Sequence, residues 1–296
     1  MKTIECKTAR EFIDTLRPSN PLWTGPIDSW IFRGQANANW GLVPSVLRQE
    51  KRPSLHCVAS IEYELDILKN FIRIADEAGL KIPGDCYGFR KLDYLNNHLD
   101  PIYSKWPPVE YIEIFACVQH HGIPTRLLDF TKNSLIASFF ASIDYMENQD
   151  SSGAISVWAV NRHYCNRYLG QFKVIEVPSH SNSFLEAQQG LFLFCEEFYG
   201  ELKSTEKEFD LGILIEKYFS EIADHIRLHP KSITTFTQEA LVKIVLPISE
   251  SKSVLKYLYF EGIKPSTMMP DLNIVKQTMG FEKKLGIVTS PLQCYI

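Results

Sequence analysis

The order of apolar and polar residues along the chain predicts a mixture of helices and strands. Residues 60–78 place apolar side chains at the 3.6-residue period of a helix, and Gly79 closes that helix. Shorter apolar patterns predict further helices over residues 8–16, 109–119, 135–146, 211–226, 251–261 and 270–279. Continuous apolar runs predict buried strands over residues 154–160, 173–177, 191–194 and 241–246. We therefore expect an α+β protein in which a small, strongly twisted sheet is split around a cleft, with helices outside.

Three segments divide the chain in this interpretation. Residues 1–27 form an N-terminal helix and lead-in, residues 28–280 form the main domain, and residues 281–296 form a C-terminal tail. Within the main domain, residues 50–115 are expected to be a helical insertion or cap beside the cleft.

Composition and charge narrow the class of protein. The chain has 296 residues and is 45% hydrophobic and 22% charged, which is typical of a globular protein with a sizeable core. A net charge of −4 gives the protein no overall positive field that would attract nucleic acid, although it is compatible with a local basic groove. The seven cysteines are scattered without a Cys-x-x-Cys pair, which favours the reducing cytoplasm over a disulfide framework or zinc cluster. We expect no signal peptide and no membrane partner, since no apolar run has the required length.

The densest polar cluster is Gln-His-His-Gly-Ile-Pro-Thr-Arg-Leu-Leu-Asp-Phe-Thr at residues 119–131. Its glycine and proline predict a turn, followed by a short strand that places Asp129 and Arg126 on opposite faces. The cluster then meets the start of a buried helix, where free backbone N–H groups favour anionic ligands. Alternatively, Asp129 and Thr131 only cap this helix and Arg126 pairs with Asp129. The adjacent pair His120-His121 disfavours a metal site because the two rings diverge, so His121 fits better as a base or hydrogen-bond donor.

Two further stretches carry candidate chemistry. In Trp-Ile-Phe-Arg-Gly-Gln at residues 30–35, a strand is predicted to end at Arg33, with Gly34 allowing a turn or a ligand to come close. A buried arginine needs a negative partner, either an acidic side chain or a phosphate or carboxylate ligand. In Glu-Ala-Gln-Gln-Gly at residues 186–190, a polar run ends just before a buried strand. Such a run lines a pocket mouth or forms an ordinary turn.

These stretches together resemble the FRG domain family, which takes its name from a tripeptide like Phe32-Arg33-Gly34. The resemblance covers residues 28–280, including Trp-Gly-Leu-Val-Pro-Ser-Val-Leu-Arg at 40–48, Gln-Gln-Gly-Leu-Phe at 188–192 and the stretch at 262–272. Members of this family occur in mobile-element and phage-defence settings. The resemblance thus implies a toxin or defence effector.

The family's order of motifs is similar to that of ADP-ribosyltransferase-like folds, which use NAD. On that similarity Arg33 takes the role of the early Arg or His, and Thr131 with Asp129 takes that of the Ser or Thr before a small-residue helix. Gln188 or Gln189 takes that of the late Glu or Gln. Arg33 and the backbone at Gly34 would then hold NAD phosphate or ribose, and Thr131 with Phe32 or Phe130 would position the nicotinamide.

The Gln-Gln-Gly stretch at residues 188–190 departs from the ADP-ribosyltransferase-like pattern because it has glutamine where a glutamate is expected. A glutamine can bind a ribose hydroxyl but supplies no negative charge for an oxocarbenium-like state. Glu186 would share a face with Gln188 if both lay in a strand, and otherwise Asp129 must serve. Without either carboxylate the site would bind its ligand without transferring a group.

Two hypotheses of different class follow. The first is an enzyme that uses NAD to modify a nucleic acid or protein. The second is a non-catalytic module in which Arg33, Arg126 and His121 hold a nucleotide or a phosphate-bearing partner. Convergence of Arg33, Thr131 and Glu186 or Gln188 on one cavity would favour the enzyme. An Arg33 paired with an acid in a closed core would weaken both hypotheses.

Overall fold

The computed structural model of the chain describes residues 1–23, 25–26, 28–48, 57–85, 105–107, 111–146, 152–177, 183–198, 210–228 and 239–287. Within these ranges the strands are β1 Lys2–Glu5, β2 Trp30–Gln35, β3 Lys105–Trp106, β4 Leu128–Thr131, β5 Ala154–Asn161, β6 Phe172–Ile175, β7 Gly190–Cys195, β8 Glu197–Phe198 and β9 Leu241–Pro247. The helices are α1 Ala9–Leu16, α2 Cys57–Glu77, α3 Ile112–His120, α4 Ser134–Ser142, α5 Arg162–Tyr168, α6 Ser183–Ala187, α7 Leu211–Leu228, α8 Ser251–Phe260, α9 Pro265–Met268 and α10 Ile274–Leu285.

Seven of the strands form one mixed sheet in the order β1-β9-β5-β2-β4-β7-β6. The edge pair β1 and β9 is parallel, whereas the other neighbours are antiparallel. The short strands β3 and β8 form a separate antiparallel ribbon. Helices surround the sheet, so the predicted α+β class is confirmed.

The sheet is almost divided at its centre, between β2 and β4. Strand β2 pairs with β5 along its whole length, from Trp30 to Gln35. It pairs with β4 at a single position, where Phe32 lies opposite Thr131. Beyond that pair the two strands separate, which leaves four strands on one side of a gap and three on the other.

Helix α4 covers the sheet beside this gap. Asn133 is its N-cap, and the Asn133 side chain accepts hydrogen bonds from the backbone N–H groups of Leu135 and Ile136. The helix is apolar on nearly every side and mostly buried, as its sequence predicts.

Gly34 allows α4 to pack directly on β2. A Cβ at this position would lie 1.9 Å from the carbonyl oxygen of Ala137, closer than any real contact. The prediction that β2 ends at Arg33 is wrong, because the strand continues through Gly34 to Gln35. The glycine is needed here for close approach of a helix and not for a turn.

Helices α2 and α3 pack together in a second core that also contains Phe192 and Phe194 of β7. The described part of residues 50–115 contains α2, β3 and the first residues of α3. That this segment is an insertion or cap stays a prediction. The boundaries at 27, 50, 115 and 280 stay predictions.

The C-terminal part differs from the sequence prediction. A helix was expected over residues 270–279, but α9 begins at Pro265 and α10 spans Ile274–Leu285, with the left-handed Gly286 as its C-cap. In the described ranges, no helix combines the length and the apolar character that crossing a membrane requires.

Candidate functional site

A cavity of about 270 Å³ opens where β2 and β4 separate, and we call it the cleft. It combines a guanidinium, a carboxylate, a hydroxyl and an amide with three phenylalanine rings. Its lining consists of Phe32, Arg33, Gly34, Asp129, Phe130, Thr131, Ala137, Phe140 and Gln188.

Arg33 bridges the gap between the two strands. Its Nη1 donates a hydrogen bond of 2.7 Å to the backbone oxygen of Asp129 and lies 3.7 Å from that residue's Oδ2. The side chain is 17% exposed, and its buried Nε has no hydrogen-bond partner in the described structure. Burial lowers the pKa of Arg33, with Asp129 opposing that shift and the guanidinium of Arg48 adding to it. The ordinary pKa of an arginine side chain is so high that the guanidinium stays charged at neutral pH.

Asp129 is the carboxylate that lines the cleft, and its side chain is 63% exposed. Its Oδ1 accepts a hydrogen bond of 2.6 Å from Nε2 of Gln119. The ion pair with Arg33 is therefore long and open to solvent. Arg33 does not lie in a closed core, so the condition that would have weakened both hypotheses is not met.

Thr131 ties the start of α4 to the turn before β7. Its hydroxyl donates to the backbone oxygen of Gln188 at 2.8 Å and accepts from the N–H of Asn133 at 3.0 Å. The side-chain amide of Gln188 donates to the backbone oxygen of Met268 at 3.1 Å. Thr131 and Gln188 thus line the cleft while also holding its walls together.

Glu186 lies outside the cleft. It is exposed and belongs to the short helix α6, and the helical turn continues as Gln189 N–H donates to the Glu186 carbonyl. Glu186 and Gln188 would share a face only if both lay in a strand, and this condition is not met. Gln189 is exposed with a φ of 48°, and it does not line the cleft either.

Arg126 is 3% exposed and forms a buried ion pair with Glu64 of α2. Its Nε lies 2.7 Å from Oε2 of Glu64, and its backbone N–H donates to Oε1 at 3.0 Å. The alternative in which Arg126 pairs with Asp129 is wrong. Arg126 fixes α2 to the segment that leads into β4, away from the cleft.

The two histidines lie at the exposed end of α3. The His121 ring lies beside that of Phe71, and neither histidine lines the cleft. The His120 ring lies beside Phe184, and burial lowers its pKa with a further contribution from His121, while Asp129 raises it. Among the described side chains, no group of three or more His, Cys, Asp or Glu residues is placed to hold a metal ion.

Sequence reasoning missed Gln119 and Phe140. Gln119 lies in the last turn of α3, and Gly122 with a φ of 78° reverses the chain so that Gln119 meets Asp129. The predicted turn was the available signal for that contact. Phe140 stands in the apolar run of α4, where pattern alone cannot separate a cleft residue from a core residue.

Residues 28–151 match the family model of the FRG domain. The matched range contains Arg33, Asp129 and Thr131, and it ends before Gln188. No curated protein and no solved structure matches the chain.

Proposed function

Because the chain carries an FRG domain over residues 28–151, we propose that its cleft binds NAD and promotes cleavage of the bond between nicotinamide and ribose. This is the activity of an ADP-ribosyltransferase or an NAD glycohydrolase. The observation that supports it is the convergence of Arg33, Asp129, Thr131 and Gln188 on one cavity. A guanidinium suits phosphate, aromatic rings suit a nicotinamide, and a carboxylate suits a developing positive charge.

The size of the cleft suits one end of the dinucleotide. Its volume of about 270 Å³ lies just below the roughly 300–1,000 Å³ of small-molecule sites. The nicotinamide and its ribose would enter between Phe32, Phe130 and Phe140. The diphosphate would lie at the mouth, where Arg33 and the exposed Arg48 provide positive charge.

The proposed reaction breaks the C1′–N bond, and the bonding electron pair leaves with nicotinamide. The remaining ribose carries positive charge on C1′ and O4′, which Asp129 stabilises as the cleft's carboxylate. An acceptor hydroxyl, from water or from a second substrate, then bonds to C1′ and releases its proton to solvent. Asp129 takes this role in place of Glu186, which lies outside the cleft.

A non-catalytic nucleotide-binding module is the second candidate, and the hydrogen bonding of the cleft favours it. Thr131 uses its hydroxyl within the protein, and Asp129 already contacts Gln119 and Arg33. Asp129 is also the one acidic side chain in the described lining. On this proposal the cleft holds a nucleotide or a phosphate-bearing partner, including a nucleic acid, without transferring a group.

Two measurements together distinguish the enzyme from the binding module. The first is thermal melting with NAD, ADP-ribose, ATP and short single-stranded DNA or RNA, and the second is an assay for nicotinamide release. We expect NAD and ADP-ribose to raise the melting temperature and the wild type to release nicotinamide. Asp129→Asn should keep the NAD shift and lose the release.

Ligand-induced shifts without nicotinamide release would favour the binding module. The absence of any shift with a dinucleotide at millimolar concentration would contradict the NAD proposal. A role in toxin action or phage defence stays a prediction from the family resemblance.

A further inference from the structure

We infer that Gln119 is a positioning residue that holds the carboxylate of Asp129 in the orientation the reaction needs. The inference rests on the proposed function and extends it to a residue outside the cleft lining. Gln119 is in the last turn of α3, and its Nε2 lies 2.6 Å from Oδ1 of Asp129. A hydrogen bond to an ionised carboxylate is among the stronger polar contacts in proteins.

The orientation of the Gln119 amide is set by Thr125. The Thr125 hydroxyl accepts a hydrogen bond from the backbone N–H of Leu127 at 3.2 Å. Its proton is then available to Oε1 of Gln119, with which it forms a short hydrogen bond. Because Oε1 faces the hydroxyl, Nε2 must face Asp129.

Thr125 is itself firmly held. It is 1% exposed, and its backbone N–H donates to Oγ of Ser45 at 3.1 Å. The Thr125 carbonyl accepts from the N–H of Val46 at 3.1 Å. The hydrogen-bonded series that ends at Asp129 therefore starts from a buried point tied to the segment that follows β2.

The hydrogen bond from Gln119 gives the two oxygens of the Asp129 carboxylate different surroundings. Gln119 holds Oδ1, so Oδ2 is the oxygen on the side of Arg33, 3.7 Å from Nη1. Asp129 is largely exposed, and without Gln119 the long 3.7 Å ion pair with Arg33 would hold its carboxylate less firmly. Misplacement of a catalytic group by as little as 1 Å can cost about a hundredfold in rate. Gln119 thereby acts on the rate of bond cleavage and not on the affinity for NAD.

The test is steady-state kinetics of nicotinamide release by the full chain, with NAD-induced melting shifts measured on the same samples. Gln119→Leu should lower kcat about ten- to a hundredfold while KM and the NAD shift stay within about twofold. Thr125→Val replaces the hydroxyl by a methyl group at nearly constant volume, removing its contacts with Gln119 and with the Leu127 N–H, and should lower kcat in the same direction. Thr125→Ser keeps the hydroxyl and should keep most of the wild-type rate. Gln277→Leu, the same change at an exposed position of α10, serves as the control.

The outcomes separate this inference from the proposal on which it rests. An unchanged kcat in Gln119→Leu overturns the positioning role while NAD cleavage stands. A parallel loss of NAD binding and of melting temperature without ligand also overturns it, because Gln119 would then be a structural residue. A wild type that binds NAD and releases no nicotinamide overturns the proposed reaction, and the positioning role falls with it.

Discussion

Arg33 and Asp129 meet across the point where β2 and β4 separate. Nη1 of Arg33 donates to the Asp129 carbonyl at 2.7 Å and stands 3.7 Å from its carboxylate. In a regular sheet, the backbones of β2 and β4 would go on pairing here, beyond Phe32 and Thr131. The side chain thus replaces a strand contact and at the same time brings positive charge to the wall of a cavity.

Gly34→Ala should destabilise the protein because the new methyl group would overlap the backbone of α4. Its Cβ would lie 1.9 Å from the Ala137 oxygen and 2.7 Å from the Ala141 nitrogen, and neither backbone atom can swing aside. We expect the free energy of unfolding, measured by urea denaturation, to fall by about 1–3 kcal/mol or more.

Gly280→Ala is the control for that change. Gly280 lies inside α10 with open space around it, so alanine should stabilise the protein by about 0.5–1 kcal/mol. Equal effects of the two substitutions would contradict the packing role of Gly34.

Glu64→Gln should be strongly destabilising because it removes a buried negative charge that pairs with the buried Arg126 guanidinium. Loss of one partner from a buried ion pair costs about 3–5 kcal/mol. Glu77→Gln breaks the exposed pair with Arg73 on the same helix and should cost less than about 0.5 kcal/mol. Similar free energies of unfolding for both variants, measured in urea, would show that the Arg126 pair has no special role in stability.

Cys165 should make stability decrease at alkaline pH. Burial raises the pKa of its thiol to about 12, whereas in the unfolded chain the thiol titrates near about 8.5. Because the folded pKa is the higher one, this contribution to stability is complete below about pH 8.5 and is lost as pH rises toward 12. Urea denaturation between pH 8 and pH 11 should show a steeper decline for the wild type than for Cys165→Ala. Parallel declines would contradict the assignment.

The elements that the sequence predicted well carry their signals locally. Thr8 caps α1 and Asn133 caps α4, and each side chain precedes an apolar pattern at the helical period. The strand over residues 154–160 was clear because it is apolar on both faces. Such features depend on residues a few positions apart, so one sequence is enough to find them.

The features that the sequence did not predict depend on distant partners. The partner of Arg126 lies 62 positions earlier in α2, and the helix that Gly34 admits lies about a hundred positions later. The five residues of α6 are too few to show a helical period, so the sequence did not predict that Glu186 lies in a helix. A helix was predicted from Pro270, whereas the structure has the four-residue α9 at Pro265 and begins α10 at Ile274.

The cleft itself was predicted in part. The enzyme hypothesis required Arg33, Thr131 and Glu186 or Gln188 to meet at one cavity, and Arg33, Thr131 and Gln188 line the cleft with Asp129. Arg126 and His121 were grouped with them because they are neighbours of Asp129 in the chain, but their side chains lie elsewhere. Spacing in the sequence does not fix the direction of a side chain once the chain has turned at Gly122.

Calorimetric titration of NAD into the wild type and Arg33→Lys tests the central claim most directly. Lysine keeps the positive charge but loses the planar fork that suits phosphate. We predict that NAD binds the wild type and binds Arg33→Lys at least about tenfold more weakly, a difference of about 1.4 kcal/mol. Arg10→Lys, at an exposed site on α1, should bind like the wild type. Equal affinity of Arg33→Lys and the wild type, or no binding to the wild type at millimolar NAD, would contradict the account.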